Sequence, residues 1–121
     1  MQVNATTCIT SVEAFPFYSS IGEGALLTGP KVATAYNIPA ADGAGVKIGI
    51  ISLGGGFLIS DLNRSMEDMG LSYPDITFVP VDGATNNFST NDNNSSLENT
   101  LDLYCVAGIV PNADIRIYTG L

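Results

Sequence analysis

Val46-Lys-Ile-Gly-Ile-Ile-Ser-Leu53, followed at once by Gly54-Gly55-Gly56, is the stretch that decides the fold. A short, nearly continuous apolar run of this kind is the signature of a strand buried on both faces, as in a parallel sheet. The glycines read as a tight strand-to-helix turn that needs positive φ or close backbone approach. Two further strands follow, Asp75 to Val81 (DITFVPV) and Asp114 to Tyr118 (DIRIY). Pro80 places the second of them at an edge or a bulge, because proline cannot donate to a ladder.

Helices fill the intervals. Ser60 or Asp61 can cap one running to about Met69, with Leu62, Met66 and Met69 at helical spacing and Gly70 as the stop. Ser95 opens another running to about Ile109, with Leu97, Leu101, Tyr104 and Gly108 along one side. A shorter helix starts at Pro30, carries Val32, Ala33, Ala35 and Tyr36, and ends at Asn37-Ile38-Pro39. Regular alternation of helix and strand means α/β with a parallel sheet and right-handed crossovers. The expected architecture is three layers, a parallel sheet with helices on both faces, resembling the front half of a larger doubly wound domain. The last strand has no helix after it and is expected to be an uncovered docking edge. Residues 1–29, with Phe15, Phe17 and Tyr18 and several glycines, read as an extended N-terminal arm, and residues 30–121 as the α/β unit.

The 121 residues carry 4 Lys and Arg against 12 Asp and Glu, a net charge of −8. So few cations cannot neutralise a phosphate backbone, so nucleic acid is not an expected partner, nor is an anionic membrane. There is no histidine, which removes Ser-His-Asp and Cys-His mechanisms carried by this chain alone. No apolar stretch is long enough to span a membrane and no basic leader precedes residue 31, so a soluble chain without signal peptide is expected. Only 13% of residues are charged, well below the usual quarter or so, which suits a surface partly covered by another chain. Cys105 falls in an apolar helical pattern and reads as a small buried thiol; its pairing with Cys8 is left open.

Glu98 and Asp102 are the residues most suggestive of chemistry. Four apart on the third helix, they share a face, where like charges cost a few tenths of a kcal/mol. Two carboxylates held close resist joint ionisation and can share a proton, the property of an acid/base dyad working at acidic pH. A plainer reading exists for Glu98, since Ser95-Ser-Leu-Glu98 matches a capping box. For Asp102 it is a solvated helix face. Gly54–Gly56 lacks the G-x-G-x-x-G and G-K-[ST] patterns, so nucleotide binding ranks last and no cofactor is expected. Asp92 among Asn91, Asn93 and Asn94 lacks calcium-loop spacing, so no metal is expected either.

Read together, several segments resemble the N-terminal half of the catalytic domain of sedolisins, the serine-carboxyl peptidases with a subtilisin-like fold. They are Val32 to Pro39, Gly45 to Phe57, Ser60-Asp-Leu62, Val81-Asp-Gly83, and above all Glu98-Asn-Thr-Leu-Asp102 running on through Val106-Ala-Gly, Pro111 and Tyr118. The resemblance covers about residues 30–120 of 121. It implies that Glu98 is the general base acting on a catalytic serine and that Asp102 orients and hydrogen-bonds that glutamate. It also implies what these 121 residues lack: the nucleophilic serine in its G-T-S-x-x-x-P context, the oxyanion aspartate and the calcium site. Whether the chain is an enzyme is left open on these grounds. The expected function is a non-catalytic structural or interaction subunit built on a truncated sedolisin-like fold, within a larger assembly such as a virus particle. Its partner would be another protein chain or copies of itself. The alternative is one chain of a split or processed serine-carboxyl endopeptidase active at acidic pH, its serine supplied by another chain.

Overall fold

A computed structural model describes residues 28–120. The N-terminal arm therefore lies outside the described residues except for Thr28 and Gly29, and Gly29 already belongs to a helix. The elements are α1 (Gly29–Ala35), β1 (Lys47–Leu53), α2 (Ile59–Asp68), β2 (Asp75–Pro80), α3 (Ser95–Ile109) and β3 (Asp114–Gly120). Each lies within a few residues of its expected place. Gly70 stops α2 with φ +68°, and Leu71 N–H returns to the Met66 carbonyl at 2.9 Å, a left-handed exit that glycine permits without strain.

The strands form one parallel sheet in the order β1-β3-β2, with Ile50 and Phe78 both in register with Ile117. The last strand is thus the centre of the sheet, not a docking edge; the free edges belong to β1 and β2. Pro80 ends the edge strand β2, where its missing N–H costs no ladder bond.

One face of the sheet carries the core. Ile115 and Ile117 are fully buried beneath Leu62 and Met66 of α2 and Leu103 and Ala107 of α3, with Ile48, Ile50, Ile76 and Phe78 around them. The other face is bare among the described residues: Ile51 is 83% exposed, Leu53 86%, and Tyr118 is also exposed. The described residues therefore hold two of the three expected layers. The apolar run of β1 does not mean burial on both faces here. The pleat sends Ile48, Ile50 and Ser52 inward and Gly49, Ile51 and Leu53 outward.

The topology carries a second correction. The connection through α2 steps from β1 across β3 to β2, and the connection through α3 steps back from β2 to β3. Both helices cover the same face, so the two crossovers have opposite hands. One of them is left-handed, against a right-handed preference of about 98%.

Helix α1 buries no residue fully. It approaches α3 through glycine: a Cβ on Gly29 would stand 2.6 Å from the Gly108 carbonyl carbon.

One-sided burial sets a clear contrast. Ile117→Ala should cost about 2–5 kcal/mol in urea unfolding, the range for a large-to-small change in a packed core. Leu53→Ala should stay within about 0.5 kcal/mol of the parent. Equal losses at the two positions would contradict the one-sided burial of the sheet.

Candidate functional site

The site is built where the β1–α2 turn meets the start of α3. Gly54 and Gly55 have φ of +93° and +72°. A Cβ on Gly55 would lie 2.7 Å from Ser95 C and Ser96 N. The glycine run is therefore a steric device, letting the turn press against the N-terminus of α3. Ser96 joins the two. Its buried hydroxyl accepts the N–H groups of Gly56 and Ser89, both at 3.0 Å, and donates to Asp92 at 2.5 Å. The Asp92 carboxylate also accepts the Ser96 N–H at 3.1 and 3.2 Å. These bonds, the hydroxyl first, hold the Asp92 carboxyl below the usual aspartate range. Asn93 and Asn94 sit in the left-handed region, which asparagine tolerates better than most residues. Asn86 fastens the same loop, accepting Phe57 N–H at 2.8 Å and donating to the Phe57 carbonyl at 3.2 Å.

The cap of α3 therefore differs from the capping box expected at Ser95 and Glu98. Asp92 supplies it from outside the helix, and the Glu98 side chain is left unused.

Glu98 and Asp102 line a single cleft of about 400 Å³ together with Ile51, Ser52, Leu53, Asn93, Asn94, Ser95 and Asn99. It opens beside the C-terminal end of β1. Glu98 is exposed and Asp102 half-buried. No hydrogen bond joins the two carboxylates, and among the described residues neither has an ion-pair partner; both ion pairs there go to Asp114, from Lys47 and Arg116. The floor of the cleft holds two buried polar side chains that hydropathy reading missed, Ser52 and Asn99. Asn99 Nδ2 donates to the Gly54 carbonyl at 2.9 Å. The Ser52 hydroxyl reaches both Asn99 Oδ1 and the Gly54 carbonyl, the latter at 3.0 Å, with one proton for two acceptors. A serine ending an apolar strand and an asparagine within a helix were the available signals.

The buried stripe of α3 is Ser96, Asn99, Leu103 and Ala107, joined by Gly108, while Leu97 and Leu101 are exposed. The stripe expected through Leu97 and Leu101 is thus turned, because the hydrogen bonds of Ser96 and Asn99 fix the rotation of the helix. The same rotation exposes Cys105, which has no disulfide partner among the described residues; Cys8 lies outside them. Both Asp92 oxygens are engaged by Ser96, and no group of three His, Cys, Asp or Glu gathers among the described residues. No described helix is long and apolar enough to cross a membrane.

The chain is 39% identical over 88 residues to kumamolisin from Bacillus sp. (strain MN-32). The match takes in 72% of this chain and spans 16% of the length of that curated relative. No family model matches the chain. Kumamolisin is a sedolisin, so this stretch is sedolisin-related, as the segments quoted above suggested. The parallel sheet with its helices is consistent with part of a subtilisin-like fold.

Two variants test how the site is assembled. Ser96→Ala orphans two N–H groups, each worth about 1–3 kcal/mol when left unpaired in the interior, and the loss should show in urea unfolding at neutral pH. Asp92→Asn should destabilise the protein most at neutral pH. A depressed folded-state pKa contributes stability that is present above the ordinary aspartate value of about 3.9 and is lost as pH falls through the lowered value. The gap between the parent and Asp92→Asn should therefore narrow on acidification; a gap independent of pH would show that the Asp92 charge does not cap α3.

Proposed function

We propose that this chain is the base-bearing part of a serine-carboxyl peptidase unit acting at acidic pH, completed by polypeptide that supplies the serine and the oxyanion donors. One observation carries the reading. Glu98 and Asp102 front the same cleft, and neither is spent on an internal hydrogen bond or ion pair among the described residues. In the completed unit Glu98, ionised, takes the proton of the serine hydroxyl as that oxygen attacks the scissile carbonyl, then gives it to the leaving amine. Asp102, one turn further along α3, orients Glu98. A base without nucleophile or oxyanion donors contributes little, so the 121 residues alone should have negligible activity.

A second reading has its own observation. The bare face with Ile51, Leu53, Val81 and Tyr118 suits a docking module, a structural subunit of a larger assembly such as a virus particle. Under it Glu98 and Asp102 are relics.

Native mass spectrometry of the protein from its source, with peptide cleavage assayed at about pH 4 where carboxyl groups titrate, separates the two. The peptidase reading expects a stoichiometric polypeptide bearing a G-T-S segment, in the same or a second chain, and activity that Glu98→Gln lowers by about 10²–10⁴-fold. The same substitution should change folding stability by no more than about 0.5 kcal/mol. Copies of the chain or structural proteins alone, with no cleavage, would overturn it in favour of the docking module.

A further inference from the structure

Ser52 and Asn99 are among the few buried polar side chains of the molecule, and both lie under the cleft that Glu98 and Asp102 front. Apolar residues would fill these positions without burying polar atoms, whose cost is offset only when hydrogen bonds are complete. Here each has a partner: Asn99 Nδ2 donates to the Gly54 carbonyl, and the single Ser52 proton serves Asn99 Oδ1 or that same carbonyl, a set that ties α3 to the end of β1. Position 52 is otherwise surrounded in sequence by Ile50, Ile51 and Leu53, so the strand itself gives no reason for a hydroxyl there.

The geometry of a helix tells what this tie controls. At about 100° per residue, Glu98 lies about 100° and Asp102 about 60° to the same side of Asn99. With Asn99 held down on the sheet, both carboxylates are turned sideways into the cleft beside β1. The helix transmits that rotation because α3 is regular from Ser95 to Ile109. Without the tie, the apolar Leu97 and Leu101, both exposed, would compete for the buried side and carry the carboxylates away from the cleft.

We infer that Ser52 and Asn99 are positioning residues for the Glu98–Asp102 pair, setting the rotation of α3 that aims both carboxylates into one cleft. The inference rests on the proposed role of that pair. Its test does not depend on activity. The side-chain carboxyl ¹³C resonances of Glu98 and Asp102 are recorded at neutral pH in the folded 121-residue chain. Ser52→Ala and Asn99→Leu should move both resonances, and Ser52→Thr, which keeps the hydroxyl, should restore them. Ile117→Val, which loosens the core elsewhere, should lower stability and leave them in place. Ser52→Ala is the milder change and remains informative where Asn99→Leu does not fold. Unmoved resonances in folded Ser52→Ala, with stability alone reduced, would overturn the inference. In the completed peptidase Ser52→Ala should lower kcat by about 10–100-fold with KM little changed, as a small misplacement of reacting groups does. Source protein without peptidase activity but with resonances that shift as expected would remove the proposed function and leave the positioning role standing.

Discussion

Hydrogen bonds, not apolar contacts, fasten the first half of α3. Ser96 and Asn99 are its buried residues there, one bonded to Asp92, Gly56 and Ser89, the other to Ser52 and Gly54. Only from Leu103 onward does the helix bury apolar side chains. This polar seam fixes the rotation of α3, and nearly every feature of the site depends on that rotation. It exposes Leu97, Leu101 and Cys105, explains why Gly55 has no room for a side chain, and brings Glu98 and Asp102 to the same opening. Such a seam is demanding. Each member lost leaves a buried donor or acceptor unpaired, whereas an apolar stripe tolerates exchange.

The sheet imposes the second constraint. Placing β3 between β1 and β2, with both connecting helices on one face, forces one crossover into the disfavoured hand. The same placement gives the central strand the best-buried side chains, Ile115 and Ile117. It leaves the outer rows of β1 and β3 without a cover among the described residues. The bare surface is polar at one end, where Lys47 and Arg116 meet Asp114, and apolar at the other, with Ile51, Leu53 and Tyr118. The apolar end lies beside the carboxylate cleft, since Ile51 and Leu53 line both that cleft and the groove on the bare face. Polypeptide covering the groove would therefore also wall the cleft and could bring a reacting group to it.

Element positions were legible in the sequence because they are written in local chemistry: Pro30 at a helix start, Gly70 at a helix stop, Pro80 at the end of an edge strand. The candidate pair was legible from its spacing of four on a helix and from the family resemblance of Glu98 to Asp102. What stayed hidden was set by partners distant in sequence. Periodicity alone fits a stripe through Leu97 and Leu101 as well as one through Ser96 and Asn99. The choice between them is made by Gly56, Ser52 and Asp92, which no helical window contains. The run Val46–Leu53 failed for a related reason. An apolar strand says that both faces can be buried, but whether a second layer arrives depends on chain elsewhere.

The distribution of charge bears on what Glu98 and Asp102 can do. The chain has only four cations, and two of them, Lys47 and Arg116, are committed to Asp114 at the opposite end of β3 from the cleft. That pairing holds the Asp114 carboxyl below its usual range, Lys47 first and Arg116 second. An arginine set against Glu98 or Asp102 would do the same to them, favouring the ionised form and weakening the carboxylate as a base. A purely structural acidic pair on an exposed helix would gain from such a cation, because it would relieve the like-charge repulsion at i, i+4. The scarce cations go instead to a carboxylate that only braces the start of the sheet. The cleft keeps two carboxylates that have no ion-pair partner among the described residues, on a helix whose rotation is locked by buried polar bonds. An acidic pair left without a cation, with rigidity placed directly beneath it, is the arrangement that the proposed role of Glu98 and Asp102 requires.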